Sequence, residues 1–210
     1  MTATGRSAAA GGDARSGWCR AGLALLRDQG PQAVTIDRLC GAMGRTKGAF
    51  YHHFRDVDAF HAALLDAWTE LHTGDVIAAT SGPGTAEARS ARLGAAAVGL
   101  DHALDRAVRG WALHDARARE ALDRVDARRI DYLAAIHRER GRKDATVLAQ
   151  LEYAVFLGAQ ELGLADDRER GVPLGRTLRT ALEWLGGAGH AEGTRRQRPR
   201  SSRAPGRRRV

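Results

Sequence analysis

Aromatic side chains are scarce in this chain: four Phe, four Trp and three Tyr among 210 residues. Lysine is scarcer still, since Lys47 and Lys143 are the only two among 33 basic residues. Cys19 and Cys40 are too few and too poorly spaced for a metal site or a secreted disulfide scaffold. They are expected to pack as small hydrophobes. No stretch approaches the roughly 18 apolar residues of a membrane helix, and the first seventeen residues hold no apolar run of signal-peptide length. A cytoplasmic protein with no membrane partner is the expectation. G-x-S-x-G, Walker and G-x-G-x-x-G patterns are missing, and the carboxylates alternate with arginines as on solvated helix faces, so no enzyme is expected.

What is present suffices for a packed core, with 43% hydrophobic and 28% charged residues. The net charge of +8 is unevenly placed. Residues 190 to 210 hold eight arginines against Glu192, about +7, so the rest of the chain is close to neutral. Within it, residues 14 to 60 carry seven basic groups against four aspartates, and the middle is slightly acidic. A basic front on a near-neutral body suits a small unit that meets a polyanion, joined to a larger unit with another task.

Only five prolines interrupt the chain, and apolar residues recur at three-to-four spacing with no convincing strand alternation. The fold is therefore expected to be all-α. A first helix spans about 14 to 29, where Trp18, Ala21, Leu25 and Leu26 share a stripe and Gly30-Pro31 ends it. Thr35, Thr46 and Asp56 are placed to cap the next three helices. Gly44 terminates the second, and the fourth runs to about Thr73. Three short helices around a glycine turn have helix-turn-helix spacing. Residues 73 to 85 read as a loop. Beyond it, helices are expected at about 85 to 104, 106 to 113, 116 to 140, 145 to 164 and 173 to 186. Residues 1 to 13 and the Arg-rich residues 189 to 210 are expected to be disordered.

The stretch TKGAFYHHF, Thr46 to Phe54, gathers three of the eleven aromatics and two histidines into nine positions. Within VTIDRLCGAMGRTKGAFYHHFRDVDAFHAALLDAW, Val34 to Trp68, it is similar to the DNA-binding domain of the TetR family of transcriptional regulators. Thr35, Leu39, Gly44, Thr46, Lys47, Gly48, Tyr51, His53 and Phe54 match the family pattern, and the upstream WCRAGLALLRDQG resembles its first helix. The match covers roughly residues 14 to 68. Two positions depart from it: Arg45 stands where an apolar residue is usual, and Val57 where a lysine that meets a phosphate is usual.

The resemblance implies a helix-turn-helix DNA-binding domain at 14–58 and a helical effector-binding and dimerisation domain at 59–188. Phe50 and Phe54 would anchor the third helix. Thr35 and Thr46, as caps, would offer helix N-termini to phosphates. Lys47 and the small Ala49 would approach the groove, Tyr51, His52 and His53 would donate to phosphates, and Arg38 and Arg45 would flank them. Adjacent His52 and His53 point about 100 degrees apart, so no metal is expected there, and no cofactor is implied.

In the body, His102, Trp111, His114, Tyr132, Tyr153, Phe156 and Gln160 are large polar-tipped or aromatic residues on apolar stripes. They are candidates to line a small-molecule effector cavity. The family implies a homodimer through the last two helices. The expected function is a sequence-specific regulator, a repressor released from its double-stranded operator by an effector. The alternative is a non-specific architectural DNA-binding protein that uses the Arg-rich tail.

Overall fold

The computed structural model describes residues 4–195, and the expectations for residues 1 to 3 and 196 to 210 lie outside the described residues. The fold is all-α, with no strand among the described residues. In chain order the helices are α1 (Thr4–Gln29), α2 (Ile36–Met43), α3 (Lys47–His53), α4 (Val57–Thr69), α5 (Asp75–Thr80), α6 (Ala86–Val98), α7 (His102–Ala112), α8 (Ala116–Glu139), α9 (Ala145–Glu161) and α10 (Arg168–Arg195).

The front of the chain folds as its capping residues direct. Thr35 Oγ1 accepts from the Arg38 amide, Thr46 Oγ1 from Ala49 and Asp56 Oδ1 from Ala59, each satisfying a donor that the helix leaves open. Gly44 closes α2 at φ 60°, ψ 35°, the left-handed conformation that a β-carbon disfavours. The α2–α3 turn is therefore short and rigid.

The core is continuous from this front into the body. Trp18, Leu26, Leu39, Phe50, Phe60 and Leu64 pack in the same buried cluster as Leu104, Val108, Leu122 and Val125 of α7 and α8. Below it, Leu133 and Ala134 of α8 meet Ala149 and Tyr153 of α9 in a smaller cluster.

Several element boundaries differ from expectation. The first helix begins at Thr4 rather than near residue 14, because the Ala-rich segment before it favours helix. After α4 the chain does not enter a loop at 73: a π-helical turn, Glu70–Gly74, leads into α5, and the loop begins at Ser81. The expected break at residue 105 lies instead at residues 99 to 101. There Asp101 caps α7 by accepting from the Leu104 amide, which leaves Asp105 inside the helix. Pro173 does not start the last helix but lies in its second turn, and α10 continues past residue 189 to Arg195.

Candidate nucleic-acid interface and the cavity behind it

On α3, one face is buried and the other is open. Phe50 and Phe54 are almost wholly buried. Phe50 meets Trp18 and Phe60 at 5.5 Å between ring centroids, and Phe54 meets Phe60 edge-on at 4.9 Å. The Arg15 guanidinium covers Phe54 at 4.8 Å. Such edge-to-face packing adds to the burial energy and fixes the axis of a helix only seven residues long. Thr46, Lys47, Tyr51 and His52 face solvent, Tyr51 with 53% of its surface exposed. His53 and Ala49 are half-buried at the edges of this face.

Thr35, Arg38 and Arg45 are exposed beside α3. Lys47 Nζ rests 2.7 Å from Asp37, and Arg38 donates to Gln29. Both cations are in contact with water, so these partners hold them weakly and a phosphate can replace them. The Asp37 carboxylate also raises the Lys47 pKa, by its hydrogen bond and then by its charge, keeping the ammonium protonated. All nine residues expected to meet DNA thus lie on α2, α3 and the turn between them or at their caps, and none is in the core.

The body holds a cavity of about 120 Å³ between the π-helical turn, α5, α6, α8 and α9. Of the seven expected lining residues, Tyr132, Tyr153 and Phe156 border it. His102 and Gln160 lie beside it rather than in its wall: Gln160 Nε2 is 3.0 Å from His102 Nδ1, and the His102 ring meets Phe156 at 5.9 Å. Burial lowers the His102 pKa and keeps that ring neutral. Trp111 and His114 belong elsewhere. Trp111 is buried against His61 of α4 at 5.1 Å, where it joins the front to the body, and His114 is exposed just beyond the end of α7.

Other residues that form this region were not expected from sequence, His72, Asp105, Arg129 and Glu152 above all. Asp105 is fully buried and accepts from four groups: Trp68 Nε1 and His72 Nδ1 at 2.9 Å, Arg129 Nη1 at 3.0 Å and Gln160 Nε2 at 3.2 Å. Burial alone would raise its pKa; the His72 hydrogen bond and the Arg129 charge outweigh that and hold the carboxyl well below its usual range. Next to it, Tyr153 donates to Asp126 at 2.6 Å and accepts from Arg109 at 2.8 Å. Burial pushes the Tyr153 phenol up to about 12. The resulting ion-paired network ties α4, the π-helical turn, α7, α8 and α9 together. Among the described residues, no cluster of His, Cys, Asp and Glu could hold a metal, and no helix is long and apolar enough to cross a membrane.

A capped helix-turn-helix with an exposed face is thus carried on a helical body that holds a partly open cavity. Residues 19–64 match the profile described as bacterial regulatory proteins, tetR family. No curated protein matches the sequence.

Among solved structures, the fold is similar to a transcriptional regulator of Pseudomonas aeruginosa PAO1, with TM-score 0.69 and 20% identity over 85% of this chain and 92% of that one. It is also similar to a regulator of Saccharomonospora viridis in complex with choline, with TM-score 0.67 and 17% identity over 82% and 94%. Reduced Escherichia coli NemR aligns with TM-score 0.65 and 21% identity over 82% and 95%. At these identities the likeness is one of fold.

Proposed function

We propose that this protein is a homodimeric transcriptional repressor that binds a double-stranded operator through α2 and α3 and leaves it when a small molecule occupies the body cavity. The reading rests most heavily on α3, which buries Phe50 and Phe54 and turns Thr46, Lys47, Tyr51 and His52 outward from a capped N-terminus. The N-terminal amides and the helix dipole favour a phosphate there. Lys47, Tyr51 and the histidines supply donors for the backbone and for base edges.

Residues 14–58 form the DNA-binding unit in this proposal, and residues 59–188 the effector-binding and dimerisation unit. Tyr132, Tyr153 and Phe156 are its effector contacts, with His102 and Gln160 as the polar support behind them. The cytoplasm, where operator DNA is found, is its compartment.

The dimer is supported by the outer face of α9 and α10. Val147, Leu151, Leu162, Val172, Trp184 and Leu185 are exposed, Trp184 to 72%, while Leu148, Ala149 and Tyr153 point inward. Apolar side chains displayed in this number along two adjacent helices mark a surface that another chain covers. Two copies then present two α3 helices to half-sites spaced by one helical turn of DNA, about 34–36 Å, or a multiple of it.

Release follows from the connection between cavity and α4. His72 and Thr73 of the π-helical turn border the cavity, and α4 places Phe60 against Phe50 and Phe54. A ligand that binds one arrangement of this turn more tightly shifts the spacing of the two α3 helices. Footprinting on the DNA upstream of the gene tests the proposal. Two protected half-sites at one spacing are expected; uniform coverage without preferred sites would favour the architectural alternative.

A further inference from the structure

The cavity is smaller and its wall more committed than a general effector pocket requires, and together these define what fits. Its volume of about 120 Å³ lies below the ~300 Å³ at which drug-sized pockets begin, and near the ~150 Å³ of a cavity that accepts benzene. A single ring fills that volume. Val76, Ile77, Leu93, Ala97, Leu133 and the Phe156 ring form most of the wall.

The polar groups at its edge are already engaged. Arg129 gives four of its five N–H groups to Thr73 Oγ1, Asp105 Oδ2, the Tyr153 hydroxyl and the His72 carbonyl. The Tyr153 hydroxyl bridges Asp126 and both arginines, and the Tyr132 hydroxyl lies 3.0 Å from Thr80 Oγ1. A single Nη2–H of Arg129 is left over, so an anionic ligand meets at most that one donor unless it draws Arg129 away from buried Asp105, and it faces the Glu152 carboxylate in the same wall.

Glu152 is the exception. It borders the cavity, its Oε2 takes the ring N–H of buried His137 at 2.9 Å, and among the described residues Oε1 has no hydrogen-bond partner. The free acceptor of the wall is therefore the Glu152 carboxylate.

We infer that the cavity selects a one-ring apolar molecule carrying a single hydrogen-bond donor, a hydroxyl or an amine, held by Glu152, and that it rejects carboxylates. The inference rests on the reading of this cavity as the effector site. Calorimetric titration of the full chain without DNA, using benzyl alcohol, benzylamine and benzoate as probes, tests it. Benzyl alcohol and benzylamine are expected to bind at least roughly tenfold more tightly than benzoate, the scale of one charged hydrogen bond.

Glu152→Gln keeps an acceptor for His137 but removes the charge. It should weaken benzylamine by roughly tenfold while shifting benzyl alcohol by less than about threefold. Ala97→Phe fills the space and should abolish binding of both, with circular dichroism confirming that the variant is folded. Benzoate binding as tightly as the others, binding that survives Ala97→Phe, or no binding of any probe would overturn the inference. Adding the same probes to the operator complex keeps the two claims apart: probes that bind the free protein but do not release DNA sustain the ligand class and defeat the release mechanism.

Discussion

The front and the body of this protein are stabilised by opposite chemistry. Among the described residues, every buried polar or charged side chain lies at or beyond position 72. Before it, the interior is Trp18, Leu23, Leu26, Leu39, Phe50, Phe54, Phe60 and Leu64, and polar groups are kept for the surface. Beyond it, His72, His102, Asp105, Gln160 and the partly buried Arg129 form a hydrogen-bonded knot. A close-packed apolar aromatic core sets one helix firmly on others and tolerates substitutions that conserve volume. A buried ionic knot has few satisfied arrangements, so its loss, or a competing ligand, is felt by every helix that joins it. The front presents; the body responds.

Conservative substitutions separate the two most sharply. Asp105→Asn keeps the shape but removes the charge that balances Arg129, and it should cost about 3–5 kcal/mol in urea unfolding. Phe50→Leu, a near volume-conserving change at an equally buried site, should cost under about 1.5 kcal/mol. If the two costs were equal, the distinction between the cores would collapse.

Acid sharpens the same comparison. The folded Asp105 pKa lies below the ~3.9 of an unfolded aspartate, so its stabilising contribution is complete above that value. It is lost as pH falls toward the lower, folded value. Urea midpoints should hold down to about pH 4 and fall steeply from there to about pH 2 in the wild type, and Asp105→Asn should flatten that descent. A smaller effect is expected at the front surface, where Thr46→Ala removes the α3 cap at a cost of about 1 kcal/mol, read as a lower melting temperature. Smallest of all should be removal of residues 196 to 210, which is expected to lower affinity for all DNA at low salt and to leave operator preference intact.

The front was legible because its signals are local. Thr35, Thr46 and Asp56 each bond an amide three residues away, and Gly44 needs only its own φ, so a stretch of sequence contains both partners of each interaction. The body was less so. Asp105 was placed in a gap between helices, since an aspartate beside a helical stretch resembles a cap; its partners are 24 to 55 residues along the chain or 33 to 37 before it. A usable signal existed. Arg129 interrupts the stripe of Leu122, Val125, Leu133 and Ile136 at helical spacing, and Asp105 falls on the stripe of Val108 and Ala112. A charge on an apolar stripe announces a buried partner without naming it. Trp111 lies apart from the cavity because periodicity shows that a side chain turns inward, not which of two interiors it meets, and His114 beyond the end of α7 is exposed.

The central claim is that the exposed face of α3 reads DNA. Fluorescence anisotropy with a duplex from the upstream region, comparing wild type with the Lys47→Ala, Tyr51→Ala double variant at equal helicity, measures it directly. The account predicts that the double variant loses at least roughly tenfold in affinity and shows a shallower salt dependence, having given up a phosphate contact. Equal binding by the two proteins at modest salt would contradict it.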